Sequence, residues 1–193
     1  MFTDLQMQYE CRTCDRVSMT DITVRPLGED DWADYRSVRL AALRESPEAF
    51  VATVEEEEAY DEAFWRARMQ RSARLVAERE GRAVGVVSVG TAKTNDVPAG
   101  ELFGLWVHPE ARGSGVATRL VQNGASLAAK RGQTHLVYWV GTENGRAVAF
   151  ASGMGFRPTD YRRPMGVVSE EDGEEEVAMV LPLGSEVDPA LRL

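Results

Sequence analysis

The chain's most chemically suggestive segment begins with Leu105-Trp106-Val107. It passes through His108-Pro109 into Glu110-Ala111-Arg112-Gly113-Ser114-Gly115-Val116-Ala117. A strand, a glycine-bearing turn and a helix N-terminus in that order form an anion cradle. The unpaired N–H groups of a first helical turn converge there, and the helix dipole favours negative charge. Gly113 and Gly115 let backbone approach a ligand without a β-carbon, and Arg112 adds a charge-assisted contact. A pyrophosphate fits. Glycine turns also precede helices for steric reasons alone, so this loop is not decisive by itself. It lacks the Gly-x-Gly-x-x-Gly fingerprint and trailing acidic residue of a dinucleotide fold. No Lys-Ser or Lys-Thr follows its last glycine, as a nucleotide-hydrolase loop requires.

Other reactive side chains are sparse. His108 and His135 have no persuasive Ser or Cys partner, and no Gly-x-Ser-x-Gly elbow occurs, which argues against a hydrolase. Cys11 and Cys14 make the sole Cys-x-x-Cys, and the two histidines are too far apart to complete a zinc site. Two reduced thiols in a tail and no metal are expected. The carboxylate run at residues 55–58 reads as a solvated helix start or loop, with a hint, shared by residues 170–176, of a cationic partner.

Composition bounds the class. The chain has 193 residues, 44% of them hydrophobic, which suits one domain with a sizeable core. A formal charge of -9 repels phosphate backbones and anionic lipid, so neither nucleic acid nor a membrane surface is an expected partner. No run is long and apolar enough to span a bilayer, and polar residues interrupt the first twenty positions. A cytoplasmic location is the expectation. Residues 1–20 show no sustained period and read as an extension, residues 21–184 as the domain, and residues 185–193 as a tail.

The elements that must position the cradle follow from periodicity. Ile22-Thr23-Val24-Arg25 alternates and stops at Pro26. A helix capped by Asp30 or Asp31 carries Trp32, Tyr35, Val38, Leu40 and Leu43 on one stripe, and a second, around Phe64, Trp65 and Met69, ends near Ser72. Residues 74–78 and 83–91 form a hairpin about Glu80-Gly81, and residues 101–107 are a third strand closed by Pro109. Residues 115–130 make the long helix, 134–140 a strand and 144–152 a short helix. Acidic, irregular sequence fills residues 157–176, and residues 177–183 are the last strand. This order argues for an α+β domain on one central, mixed, mostly antiparallel sheet flanked by helices.

Residues 107–117 resemble the signature of the GNAT superfamily, in which Arg or Gln, two residues, Gly, one residue, and Gly or Ala receive coenzyme A pyrophosphate. Arg112, Gly115 and Ala117 match it. A second family pattern, Asn-x-x-Ala-x-x-Phe followed by Gly-Phe, is matched by Asn144, Ala147, Phe150, Gly155 and Phe156. Arg39, Leu40, Ala42, Leu43, Pro47, Ala49 and Phe50 are similar to the opening helices of many members, and the likeness spans residues 21–183. The resemblance implies acetyl-CoA as cosubstrate and transfer of its acetyl group to a primary amine of a small molecule or peptide. It also implies a strand 101–107 that bulges and splays from strand 134–140, with Gly104 suited to the bulge. Backbone of Leu105, Trp106 and Val107 would pair with the pantetheine arm. Arg112, Gly113, Ser114, Gly115, Val116, Ala117 and Thr118 would hold the pyrophosphate, and Asn144, also a ready helix cap, would face the coenzyme from the other side.

An acceptor amine must lose a proton, and Glu101 stands where several family members carry their base; as a bare residue it reads equally as an exposed strand start. The tyrosine that often follows the motif phenylalanine, as acid for the departing thiolate, is Ala151 here, with Ser152 and Tyr161 nearby. That departure keeps a second reading open, a non-catalytic acyl-CoA-binding sensor or partner module on the same fold. A homodimer is also left open.

Overall fold

The computed structural model describes residues 22–94, 97–166 and 174–184. Cys11 and Cys14, the extension 1–20 and the tail 185–193 lie outside the described residues.

Strand β1 (Ile22–Leu27) leads through a 3-10 turn into helices α1 (Trp32–Glu45), α2 (Val54–Glu58) and α3 (Glu62–Arg71). Strands β2 (Ala73–Arg79), β3 (Arg82–Thr91) and β4 (Ala99–Val107) follow as a meander. Then come α4 (Val116–Lys130), β5 (His135–Gly141), α5 (Gly145–Gly153), β6 (Arg157–Pro164) and β7 (Glu175–Pro182). The strands form one seven-stranded sheet in the order β1-β2-β3-β4-β5-β7-β6. Every pairing is antiparallel except β4 with β5. The α+β architecture on a mixed, mostly antiparallel sheet is therefore as expected.

Period-2 alternation splits the core between two faces. Leu75, Ala77, Val87, Val89 and Leu102 pack beneath α4 and α5, whereas Val76, Val86 and Trp106 face α1 and α3 with Tyr35, Val38, Ala42 and Trp65. Local signals set the elements' ends. Glu80 and Gly81 both adopt positive φ, the conformation that a two-residue hairpin turn requires. Thr53 closes a capping box with Glu56, and Asp61 accepts the Phe64 N–H at 2.9 Å. Asp31 occupies the position preceding α1, but its carboxylate turns back to the Gly28 N–H at 2.7 Å instead of capping that helix.

Two segments differ from the sequence reading. Residues 157–164 are strand β6, an edge strand on β7 that is mostly exposed and contains two prolines, so no apolar alternation announces it. The run at residues 55–58 is helical and only partly solvated, because Glu57 is 1% exposed.

Helix α4 lies on the sheet closely because position 85 has no side chain. A Cβ there would come within 2.8 Å of Val116 Cγ1 and 3.0 Å of the Trp106 carbonyl oxygen. Overpacking of this kind costs about 1–3 kcal/mol. Gly85→Ala is accordingly expected to lower the unfolding free energy in urea by that amount and to lift the first turn of α4 away from β3. An unchanged urea midpoint would mean that the helix reseats freely.

Candidate active site

Strand β4 pairs with β5 only from Ala99 to Leu102, against His135 to Tyr138; beyond that the two strands part. The cause lies on the other side of β4. Between the β3–β4 pairs Val86↔Trp106 and Ser88↔Phe103 the register slips, so β4 carries an extra residue opposite β3, and Gly104 sits there at φ 62°. A bulge bends its strand, and glycine accepts the left-handed conformation without strain. The expected splay and its glycine are both present.

The gap is a cavity of about 520 Å³. Phe103, Gly104 and Leu105 line one wall, Tyr138, Trp139 and Val140 the other, and Asn144 and Ala147 the α5 end. Asn144 also caps α5, its Oδ1 accepting the Ala147 N–H at 3.0 Å, so it can serve both purposes anticipated for it. Trp106 is different. Its ring is buried on the α1 side and its indole N–H donates to Glu45 at 3.0 Å, which leaves only its backbone for a ligand.

Beyond Val107, a 3-10 turn at Pro109–Ala111 delivers the loop to α4, with Gly113 at φ 76° and Gly115 at φ 88°. The first amide of this helix to bond backward is that of Arg119, to the Gly115 carbonyl at 3.0 Å. Among the described residues, the N–H groups of Gly113, Gly115, Val116, Ala117 and Thr118 meet no acceptor. Several unpaired donors thus stand at the start of a 15-residue helix, and a Cβ on Gly113 would touch nothing within 4 Å, so the loop is open.

Arg112 is committed otherwise. Its guanidinium donates to Glu45 at 2.7 Å and to the Val107 carbonyl at 3.1 Å, tying the end of β4 to α1. Bonds from Ser46, Trp106 and Arg112 hold the Glu45 carboxyl below the usual carboxylate range. The cationic contact that sequence reasoning missed is Arg79 on β2, whose guanidinium bonds Ser114 Oγ while that hydroxyl donates to the Ala111 carbonyl at 2.6 Å. Thirty-five residues separate Arg79 from Ser114, so no local pattern pairs them.

Glu101 lines the cavity and stands 3.7 Å from Arg163 on β6. Burial pushes its carboxyl up; Arg163 opposes that rise and Glu176 adds to it. Glu176 on β7 belongs to the acidic run 170–176, within which the sequence did not single it out. It bonds Arg163 at 2.7 Å and lines both this cavity and a second one of about 360 Å³. Position 151 offers no acid: Ala151 is fully buried in the core. Ser152 is exposed and outside the cavity lining, and Tyr161 lies in a separate pocket beside Glu101. Tyr138 is the phenol on the cavity wall, pushed up to about 12 by burial and by Glu176.

With this geometry in place, comparison decides the family. The acetyltransferase (GNAT) family matches residues 34–156, well over half of the chain. The chain belongs to the GNAT acetyltransferase family. This GNAT chain is 26% identical over 137 residues to an uncharacterized N-acetyltransferase of Methanocaldococcus jannaschii, covering 69% of the chain but only 60% of that relative. The GNAT fold is shared with yncA of Salmonella typhimurium, solved with its cofactor acetyl-CoA, at a TM-score of 0.65 and 21% identity over 88% of this chain and 98% of that one. It is shared too with the PaiA N-acetyltransferase of Thermoplasma acidophilum in complex with coenzyme A, at 0.58 and 17%, over 83% and 98% of the two chains. Among the described residues of this GNAT domain, no helix is long and apolar enough to cross a membrane.

Proposed function

We propose that the protein transfers an acetyl group from acetyl-CoA to a primary amine, in the cytoplasm. The observation that carries this reading is the continuity of the split between β4 and β5 with a cradle of unpaired amides at the start of α4. The amides of Gly113, Gly115, Val116, Ala117 and Thr118 receive the pyrophosphate, with Ser114 and Arg79 beside them. The bare edge of β4 at Leu105, Trp106 and Val107 pairs with the pantetheine arm as an added strand would, and Asn144 closes the opposite side. Arg112 contributes by holding the end of β4 through Glu45 and the Val107 carbonyl, beside the pyrophosphate.

Bound acetyl-CoA supplies an acetyl group already activated as a thioester. The protein's part is to free the amine. A lysine-like amine, with a pKa of about 10.4, is mostly protonated at neutral pH and needs a base. Glu101 takes that proton, directly or through one water, and its burial brings its basicity closer to the working pH. Tyr138 does not replace the absent acid. Tyr138 stands on the cavity wall as a hydrogen-bond donor for the leaving sulfur, and the thiolate, whose thiol has a pKa of about 8.5, takes its proton from water.

Calorimetry with acetyl-CoA tests the cradle. Gly115→Glu places a carboxylate at the helix N-terminus, and binding is expected to weaken about tenfold or more. Because Gly115 sits at φ 88°, circular dichroism must show the variant folded before the result counts. Undiminished affinity would move the pyrophosphate elsewhere. The alternative of a non-catalytic binder rests on Ala151; it predicts tight acetyl-CoA binding with no thiol release against any amine.

A further inference from the structure

The second cavity, of about 360 Å³, meets the cleft at Ala49, Phe50, Phe103, Gly104 and Glu176. Its size is near the lower end of ligand pockets, roughly 300–1,000 Å³. Its far wall is made of Arg39, Arg68 and Glu57. Glu57 accepts from Arg39 at both oxygens, at 3.0 Å from Nη2 to Oε1 and 3.1 Å from Nε to Oε2, and its Oε1 lies 2.9 Å from Arg68. Behind Tyr35 and Phe103, which also line the cavity, lies a third guanidinium, that of Arg74, 4.9 and 5.5 Å from those rings. Arg74 is 3% exposed, and its Nε has no hydrogen-bond partner among the described residues.

A purely structural ion cluster balances its charges, because an uncompensated buried charge is costly. This one does not balance. Among the described residues two guanidiniums, those of Arg39 and Arg68, bond the one carboxylate of Glu57, and that of Arg74 stands behind Tyr35 and Phe103, while the same cavity carries Glu176, with Glu101 next to it across Arg163. The cavity thus carries an excess of positive charge on its Arg39–Arg68 wall and a carboxylate, Glu176, where it joins the acyl cleft. The acidic run at residues 55–58 accordingly offers no acidic patch inside the pocket, since its buried member is held by arginines.

Resting on the acetyltransferase reading above, we propose that the acceptor is a small amino-acid-like zwitterion, its carboxylate held by Arg68 and Arg39 and its amine presented to Glu176 and Glu101. The two ends of the cavity recognise the two ends of the molecule, and the amine is thereby aimed at the β4–β5 gap. Arg68 determines specificity in this arrangement. Charge-assisted bonds from a guanidinium to a carboxylate are among the stronger protein hydrogen bonds.

Thiol release from acetyl-CoA is to be measured with each protein amino acid beside its carboxamide, and with spermidine as a carboxylate-free amine. The best amino acid is expected to exceed its carboxamide in kcat/KM by about tenfold or more. Arg68→Met leaves Glu57 its two bonds to Arg39, so the fold survives; it should erase that preference mainly through a higher acceptor KM. Arg68→Lys should restore part of it, and neither variant should alter acetyl-CoA affinity. Carboxamides or spermidine accepted as well as the amino acids, or a preference that persists in Arg68→Met, would overturn the acceptor assignment while leaving the acetyltransferase intact. Absence of acetyl-CoA binding by calorimetry would instead remove the function on which the assignment rests.

Discussion

Replacing Glu101 by glutamine is expected to lower turnover at neutral pH on the order of 10²-fold while leaving acetyl-CoA affinity unchanged. The substitution preserves size and hydrogen bonding and deletes only the basic site. Position 101 belongs to the short stretch where β4 and β5 still pair, so its backbone is fixed by Gly90 on one side and Val137 on the other. The side chain alone changes. The pH dependence has a definite sign. Glu101 is a useful base only when ionised, and burial raises its pKa above the ordinary carboxylate value of about 4.3, so wild-type kcat/KM should fall as pH drops through that raised value. The glutamine variant should lack this limb. In alkaline buffer the ammonium loses its proton unaided, and the gap between variant and wild type should narrow. Wild-type turnover at neutral pH in the variant would take Glu101 out of the mechanism and turn attention to Glu176, which lines the same cleft.

The second large effect is on stability. Glu57→Ala strands Arg39 and Arg68, whose side chains are only 12% and 21% exposed, without their carboxylate, and removing one partner of a buried pair costs about 3–5 kcal/mol. Burial pushes the Glu57 carboxyl up, but bonds and charges from Arg39 and Arg68 outweigh burial and leave it below the usual range. For a carboxylate with a depressed folded pKa, the stabilisation is fully present above the unfolded value of about 4.3 and fades as pH falls through the folded one. Urea unfolding should therefore show the full gap between wild type and Glu57→Ala at pH 7, shrinking in acid below about pH 4. A gap under about 1 kcal/mol at neutral pH would mean that the arginines find other partners, and a gap indifferent to acid would mean that packing, not charge, is at stake.

How much of this was readable beforehand depends on how local each cause is. Helix α4 announces itself because Val116, Leu120, Val121 and Ala128 recur on one face, and the loop before it because glycines at 113 and 115 suit positive φ. The bulge at Gly104 was legible only through the family resemblance, a glycine there being suited to it. Strand β6 was not, since Arg157, Pro158, Arg162, Arg163 and Pro164 carry neither apolar alternation nor a turn pattern, and its place is set by β7 alone. Among the four consecutive glutamates at 55–58, nothing in the chain marks Glu57 as buried; its partners stand on α1 and α3, far enough along the chain that no helical spacing joins them. Glu176 and Arg79 share that difficulty. Each acquires its significance only when distant strands meet, whereas Asn144 was visible because a cap is a matter of three residues.

The parting of β4 and β5 also bears on how the protein keeps to itself in solution. A strand edge with unpaired backbone groups is a template for another chain, and proteins ordinarily shield such edges with charge or by covering them. Here two bare edges face each other inside one sheet, beyond Leu102 and beyond Tyr138. Among the described residues, the wall around them carries Glu48, Glu101, Glu143, Glu174 and Glu176 against one cation, Arg163. An intruding β-strand from a neighbouring molecule would have to desolvate those carboxylates beside its own carbonyl oxygens, which is unfavourable. Neutralising several of these glutamates together is therefore expected to raise self-association of the protein, which light scattering would detect.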